Sequence, residues 1–181
     1  MSAVEFASLT AERLRFEATK AAPVEEASET GVQRFPTSGT MPQMSSSLVF
    51  RLASFPIHLG LGATAVRQPS IEDKDFFEAY AARHTSDGAE GRLVSMFTFS
   101  QPWTVWERHP RGAELVVCTS GTITVHQEQA DGTVQTATLH AGDAVVNPPG
   151  VWHTADVTAP ATALFITAGI GTEHRPREST W

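Results

Sequence analysis

The sequence predicts an all-β domain, a barrel or sandwich of short antiparallel strands, and three observations lead there. From Leu48 onward, short apolar or alternating runs follow one another at close intervals. Turn-forming residues separate them, most clearly the Asp131-Gly132 pair, where both positions tolerate positive φ. Only residues 71–84 break this rhythm, with Phe76, Phe77 and Tyr80 near helical spacing. Many short strands with turns between them close into a sandwich or barrel.

The bulk properties limit what such a domain can do. At 181 residues the chain fits one domain and can bury a core without disulfide or structural metal. Its net charge of −7 disfavours nucleic acid and anionic membranes, which both require concentrated basic surface. Cys118 is the single cysteine, so an intrachain disulfide and a multi-cysteine zinc site are excluded. Residues 1–22 carry Glu5, Glu12, Arg13, Arg15 and Glu17, which interrupt any signal-peptide core. No apolar run reaches transmembrane length. A cytoplasmic location without nucleic-acid or membrane partners is the expectation.

The elements follow in order. Residues 1–47 read as an N-terminal arm or tail, with a helix over 8–20 anchored by Leu9, Leu14 and Phe16. The rest of that arm is rich in Ser, Thr, Pro, Gly and Glu, as loops are. β structure then begins with runs at 49–53 and 57–66, bounded by Pro56 and Pro69. A helix over 71–84 ends before the Asp87-Gly88 turn. Strands are expected over 92–100, 103–108, 113–119, 122–129, 133–139, 143–147, 152–157 and 161–167. The barrel is thus drawn over 48–170, leaving 171–181 as a charged, solvated C-terminal tail that carries Arg175 and Arg177.

Three metal-ligand types crowd into the segment from Glu107 to Glu114. Side chains two apart on a strand share a face, so Glu107 and His109 project together. Pro110 to Gly112 suits a turn, which would bring Glu114 back beside them. His153 follows a second turn, Pro148-Pro149-Gly150. Two imidazoles and two carboxylates suit a divalent ion: Fe²⁺, Mn²⁺, Ni²⁺ or Zn²⁺.

The spacings resemble those of the cupin superfamily. His109, Glu114 and Gly121 match its first motif, G-x5-H-x-H-x(3,4)-E-x6-G, and Gly142, Pro148, Gly150 and His153 match its second, G-x5-P-x-G-x2-H-x3-N. Gln101 replaces the leading glycine, Val157 the final Asn, and Glu107 the first histidine. The resemblance implies a jelly-roll barrel, or double-stranded β-helix, with one or two short helices. It also implies one divalent metal on Glu107, His109, Glu114 and His153.

Other residues have plainer readings. Trp103 and Val105 share the inward face with Glu107, Val116 and Cys118 that with Glu114, and Val151 and Ala155 that with His153. They line the barrel in an apolar manner, and Cys118 reads as a small hydrophobe. His58, His126 and His140 read as surface or strand residues, and His84 as a favourable charge at a helix C-terminus. Trp106, Arg108 and Trp152 alternate outward, and a homodimer is expected from them and from the arm.

The functional expectation is a small metalloenzyme acting on an oxygenated organic substrate, of dioxygenase, isomerase, lyase or decarboxylase type. The alternative is a non-catalytic binding or sensor module in which the metal anchors a small molecule. Fold alone does not choose between them.

Overall fold

Strand alternation in the sequence becomes two facing antiparallel sheets, which the computed structural model describes for residues 48–177. The arm over 1–47, with its expected helix, and residues 178–181 lie outside the described residues. One sheet takes β1 (Ile57–Gly60), β2 (Thr64–Arg67), β3 (Arg92–Phe99), β5 (Glu114–Ser120), β8 (Ala144–Asn147) and β10 (Ala161–Thr167). Its order is β2-β1-β3-β10-β5-β8. The second takes β4 (Val105–Arg108), β6 (Thr122–Glu128), β7 (Val134–His140), β9 (His153–Asp156) and β11 (Glu173–Pro176), in the order β11-β4-β9-β6-β7. Successive strands therefore alternate between sheets along much of the chain, which is the jelly-roll arrangement.

The inward residues close the interior. Phe99, Val116, Cys118, Ile123, Val125 and Phe165 belong to one buried cluster, with Phe97, Trp103 and Val145 packed against it. Cys118 is wholly buried, its Sγ facing the carbonyls of Ser120 and Gly121. The turn at Gly121 needs glycine twice over. Its φ is +76°, and a Cβ there would meet the Pro160 carbonyl at 2.6 Å.

Helix α1 (Phe76–His84) covers one end of the first sheet. It begins later than the pattern suggested, because residues 71–75 are spent in turns. Phe76 and Tyr80 are its buried face, packed on Leu93. The apolar run at 49–53 forms no strand and instead turns toward Pro56. Among the described residues no helix is long and apolar enough to cross a membrane.

The largest departure lies at the C-terminal end. Residues 173–176 are not a solvated tail: they form β11, paired antiparallel with β4 in the register Glu173↔Arg108, His174↔Glu107 and Arg175↔Trp106. Side chains fasten the strand. Arg108 binds Glu173 through Nε and Nη2, at 2.8 and 2.6 Å. Arg175 pairs with Glu128, and Arg177 with both oxygens of Asp156 at 2.6 and 3.0 Å. Arg108 and Arg175 each lie 4.6 Å from the centroid of Trp152, so the outward tryptophans carry cation–π contacts.

Candidate metal centre

Local geometry assembles the centre from three strand ends. Glu107 stands on β4 directly opposite His153, the first residue of β9. His109 follows β4 and opens the turn, where Gly112 N–H donates to the His109 carbonyl at 3.4 Å. That turn returns the chain as β5, whose first residue is Glu114. The second motif is tied to the first by backbone, since Gly150 N–H donates to the same His109 carbonyl at 3.0 Å. Gly150 holds φ of +74°, which fits its place in the turn before His153.

The four predicted ligands meet in one place. One ligand atom from each of Glu107, His109, Glu114 and His153 lies within 4.8 Å of the others. His109 Nε2 is 3.3 Å from Glu114 Oε1 and 3.8 Å from Glu107 Oε1. His153 Nε2 is 3.1 Å from Glu114 Oε2 and 3.4 Å from Glu107 Oε1. Despite that closeness, neither Nε2 has a hydrogen-bond partner, and both atoms are buried. Atoms bound about 2.0–2.2 Å from one shared ion at right angles would themselves lie about 3 Å apart. The spacing and the orphaned nitrogens therefore fit a common cation better than a hydrogen-bond network.

The surroundings set the tautomers. His153 Nδ1–H donates to the Val151 carbonyl at 3.1 Å, leaving the Nε2 lone pair for the centre. His109 Nδ1 lies 2.9 Å from Thr172 Oγ1, and that hydroxyl is itself directed at the Gly169 carbonyl at 3.5 Å. The hydroxyl so receives the Nδ1 proton, and His109 also turns its Nε2 lone pair inward. Glu114 is held at both oxygens: Thr167 Oγ1–H donates to Oε1 at 2.7 Å and Asn147 Nδ2–H to Oε2 at 3.0 Å. Gln127 in turn holds Asn147 Oδ1 at 2.7 Å.

The electrostatics favour a doubly negative site. Burial works against ionising Glu114, yet the two imidazoles outweigh it and bring its carboxyl down to about 2. Glu107 is likewise held well below the carboxylate range by His153 and His174, against its burial. Burial works against charging His153, but the two carboxylates outweigh it and raise its pKa to about 10; His109 is raised in the same way. Without a cation, protons on the imidazoles balance the carboxylates. A divalent ion would replace them.

Residues 100–168 match the family model of the cupin domain. Over those residues the chain carries a cupin domain. Solved structures of similar fold include a cupin-2 domain protein from Shewanella frigidimarina, 21% identical, covering 48% of this chain and 71% of that one at a TM-score of 0.36. A cupin superfamily protein from Desulfitobacterium hafniense is 21% identical over 42% of this chain and 65% of its own, at 0.36. An oxalate oxidase is 17% identical, covering 51% of this chain and 50% of that one at 0.43. Identities and scores of that size say nothing about activity. No protein of curated function matches the chain.

His174 is the neighbour of this candidate centre that the sequence did not disclose. It comes from β11, opposite Glu107, and its Nε2 lies 3.3 Å from Glu107 Oε2. Glu107 thus turns one oxygen toward His109 and His153 and the other toward His174. His58 keeps the strand reading, on β1, and is 2% exposed. His84 stacks on it with ring centroids 3.6 Å apart, while its Nε2 meets Gln68 Oε1 at 3.0 Å. His126 and His140 keep the strand role, bonded to Thr136 and Asp156 and to Thr122 respectively.

Proposed function

We propose that Glu107, His109, Glu114 and His153 bind one divalent metal ion, and that the protein is a metal-dependent enzyme for a small oxygenated organic substrate. The observation that carries the reading is the pair of buried imidazole Nε2 atoms without partners, aimed at two ionised carboxylates. Two carboxylates balance the charge of Fe²⁺, Mn²⁺, Ni²⁺ or Zn²⁺. Four protein donors leave a six-coordinate ion two further positions, which separates a catalytic centre from a closed structural one. When bound, such an ion supplies Lewis acidity or a site for O₂.

The chain's own residues do the rest. Thr167, Asn147, Val151 and Thr172 fix the donor atoms before the ion arrives. The interior cluster excludes water from one side of the centre. Glu107, with 18% of its side chain exposed, marks the side open to a substrate. Its second oxygen, beside His174, stays an ionised acceptor that can take a hydrogen bond from a substrate hydroxyl.

The test is elemental analysis of anaerobically purified protein beside the Glu107→Ala and His153→Ala variants, followed by oxygen uptake with small oxo- and hydroxy-acids. Stoichiometric metal lost in both variants supports the centre, and turnover of such an acid supports the enzyme. Metal-free wild-type protein refutes the first statement. Metal-loaded protein that retains these acids unchanged refutes the second and leaves a binding module.

A cytoplasmic homodimer belongs to the same proposal. β2 is an edge strand with all four residues exposed; its Val66 is 48% exposed, and Leu59 and Leu61 beside it are 36% and 53% exposed. An edge that no described strand pairs invites pairing with a second copy. A monomer mass by sedimentation would remove the dimer.

A further inference from the structure

Three buried side-chain polar atoms have no hydrogen-bond partner among the described residues: Nε2 of His109, Nε2 of His153 and the indole Nε1 of Trp103. The metal accounts for the first two. It cannot account for the third, because an indole N–H is a donor only and ligates nothing. Tryptophan N–H groups ordinarily find an acceptor when buried, and a native orphan asks for a reason.

Position supplies one. The Trp103 ring lies 5.4 Å from Phe99 and 6.0 Å from Phe165, and its other neighbour is the His153 imidazole at 6.5 Å, centroid to centroid. Its backbone is fixed as well: Trp103 N–H donates to the Ala155 carbonyl at 2.9 Å, and Arg177 donates to the Trp103 carbonyl at 3.3 Å. The ring therefore sits between an aromatic wall without acceptors and a residue of the metal centre. Trp103 thus borders the centre through His153.

We propose that Trp103 determines which ligand the centre accepts, by donating its indole N–H to an oxygen of the molecule held on the metal. This rests on the metal reading above. The ligand then carries two oxygen acceptors, one for the ion and one for the indole, as a small carboxylate does. A ligand whose far side presents a donor finds two N–H groups opposed.

The experiment uses the full chain loaded with Co²⁺, whose visible absorption reports changes in the ligands around it. Acetate and imidazole are titrated into wild-type protein, Trp103→Phe, and a variant with Trp103 replaced by 3-benzothienylalanine, which keeps the ring shape and loses the N–H. Acetate binding should weaken about tenfold or more in both variants, the usual size for a hydrogen bond to a charged acceptor. Imidazole, whose far nitrogen is a donor, should bind as in the wild type or more tightly. Unchanged acetate affinity overturns the inference, as does equal weakening of both probes, which marks a role in packing only. Failure of the wild type to take up Co²⁺ overturns the metal reading and this inference with it. Co²⁺ uptake with unaltered acetate selectivity overturns the inference alone.

Discussion

Among the described residues, two clusters of histidine and carboxylate could each hold a cation, and they are built for opposite ends. Around His153 and His109, imidazole nitrogens face carboxylate oxygens at 3.1–3.8 Å without satisfying them. His58, by contrast, has both ring nitrogens satisfied: Nδ1 meets Tyr80 Oη at 2.8 Å and Nε2 meets Asp87 Oδ2 at 2.8 Å. Asp87 also accepts from Leu61 N–H at 3.3 Å, and the His58 proton holds its carboxyl below the ordinary value. There is no spare volume either, since a Cβ on Gly60 would meet Asp87 Oδ2 at 2.5 Å and His58 Nε2 at 2.8 Å. His58, His84 and Asp87 lie close enough to share a cation. The complete hydrogen bonding of His58 marks a clasp between β1, α1 and the turn at 85–87 instead. What distinguishes a ligand site from a clasp is therefore unmet bonding capacity, not the inventory of residue types.

Breaking each cluster in turn gives the largest contrast. His153→Ala should lower metal affinity by more than about a hundredfold, beyond what loss of a supporting residue costs, with little change in the fold. His58→Ala should leave metal content intact and destabilise the protein by about 2–4 kcal/mol, through a cavity and an orphaned Tyr80 hydroxyl. Metal analysis and denaturant titration of both variants check this. Equal metal loss in the two would mean that the clusters are not separate.

The supports of the centre come next. Thr167→Val removes the hydroxyl that fixes Glu114 Oε1 while keeping its shape. Metal affinity should fall about 10–100-fold, the usual size for such a support. Competition against a chromophoric chelator measures it. An unaltered constant would show that Glu114 needs no orienting partner.

The four candidate ligands were legible because their geometry is local. The stretch from Glu107 to Glu114 contains a strand, a turn and the start of another strand, and His153 follows a turn marked by Pro and Gly. The jelly-roll strands were legible for the same reason, by alternation and turns. Two things were not. The polar segment Glu173-His174-Arg175-Pro176 lacks an apolar face, so nothing in it announces a strand; its place is set by ion pairs to Arg108 and Glu128 on distant strands, and by that of the following Arg177 to Asp156. The clasp joins residues of β1, α1 and the following turn, and no spacing connects them.

Acid and base sharpen the comparison further, in the metal-free protein. Glu114 is depressed from 4.5 to about 2, so its contribution to stability is present above pH 4.5 and lost as the pH falls toward 2. His153 is raised from 6.5 to about 10, so its contribution is present below pH 6.5 and lost as the pH rises toward 10. Stability of the metal-free form should thus be greatest between these limits, about pH 4.5–6.5, if this pair dominates. The metal-loaded form should behave differently, gaining stability through pH 7–8 because the ion competes with protons for the imidazoles. Thermal melts across pH, with and without metal, compare the two. Parallel profiles would deny that protons and metal share these atoms.

The smallest expected effect belongs to His174. It touches Glu107 at 3.3 Å through the oxygen turned away from His109 and His153, and 15% of its side chain is exposed. Solvent screening reduces what one such contact contributes. Strand pairing of β11 with β4 persists without the imidazole, because Arg108–Glu173 and Arg175–Glu128 flank it. His174→Gln keeps a donor near Glu107 and His174→Ala does not. If His174 only orients Glu107, the Ala variant should weaken metal by about tenfold or less, the low end for a supporting residue, and Gln should restore most of it. Loss as large as that of His153→Ala, unrescued by Gln, would make His174 a direct ligand and the centre a three-histidine site.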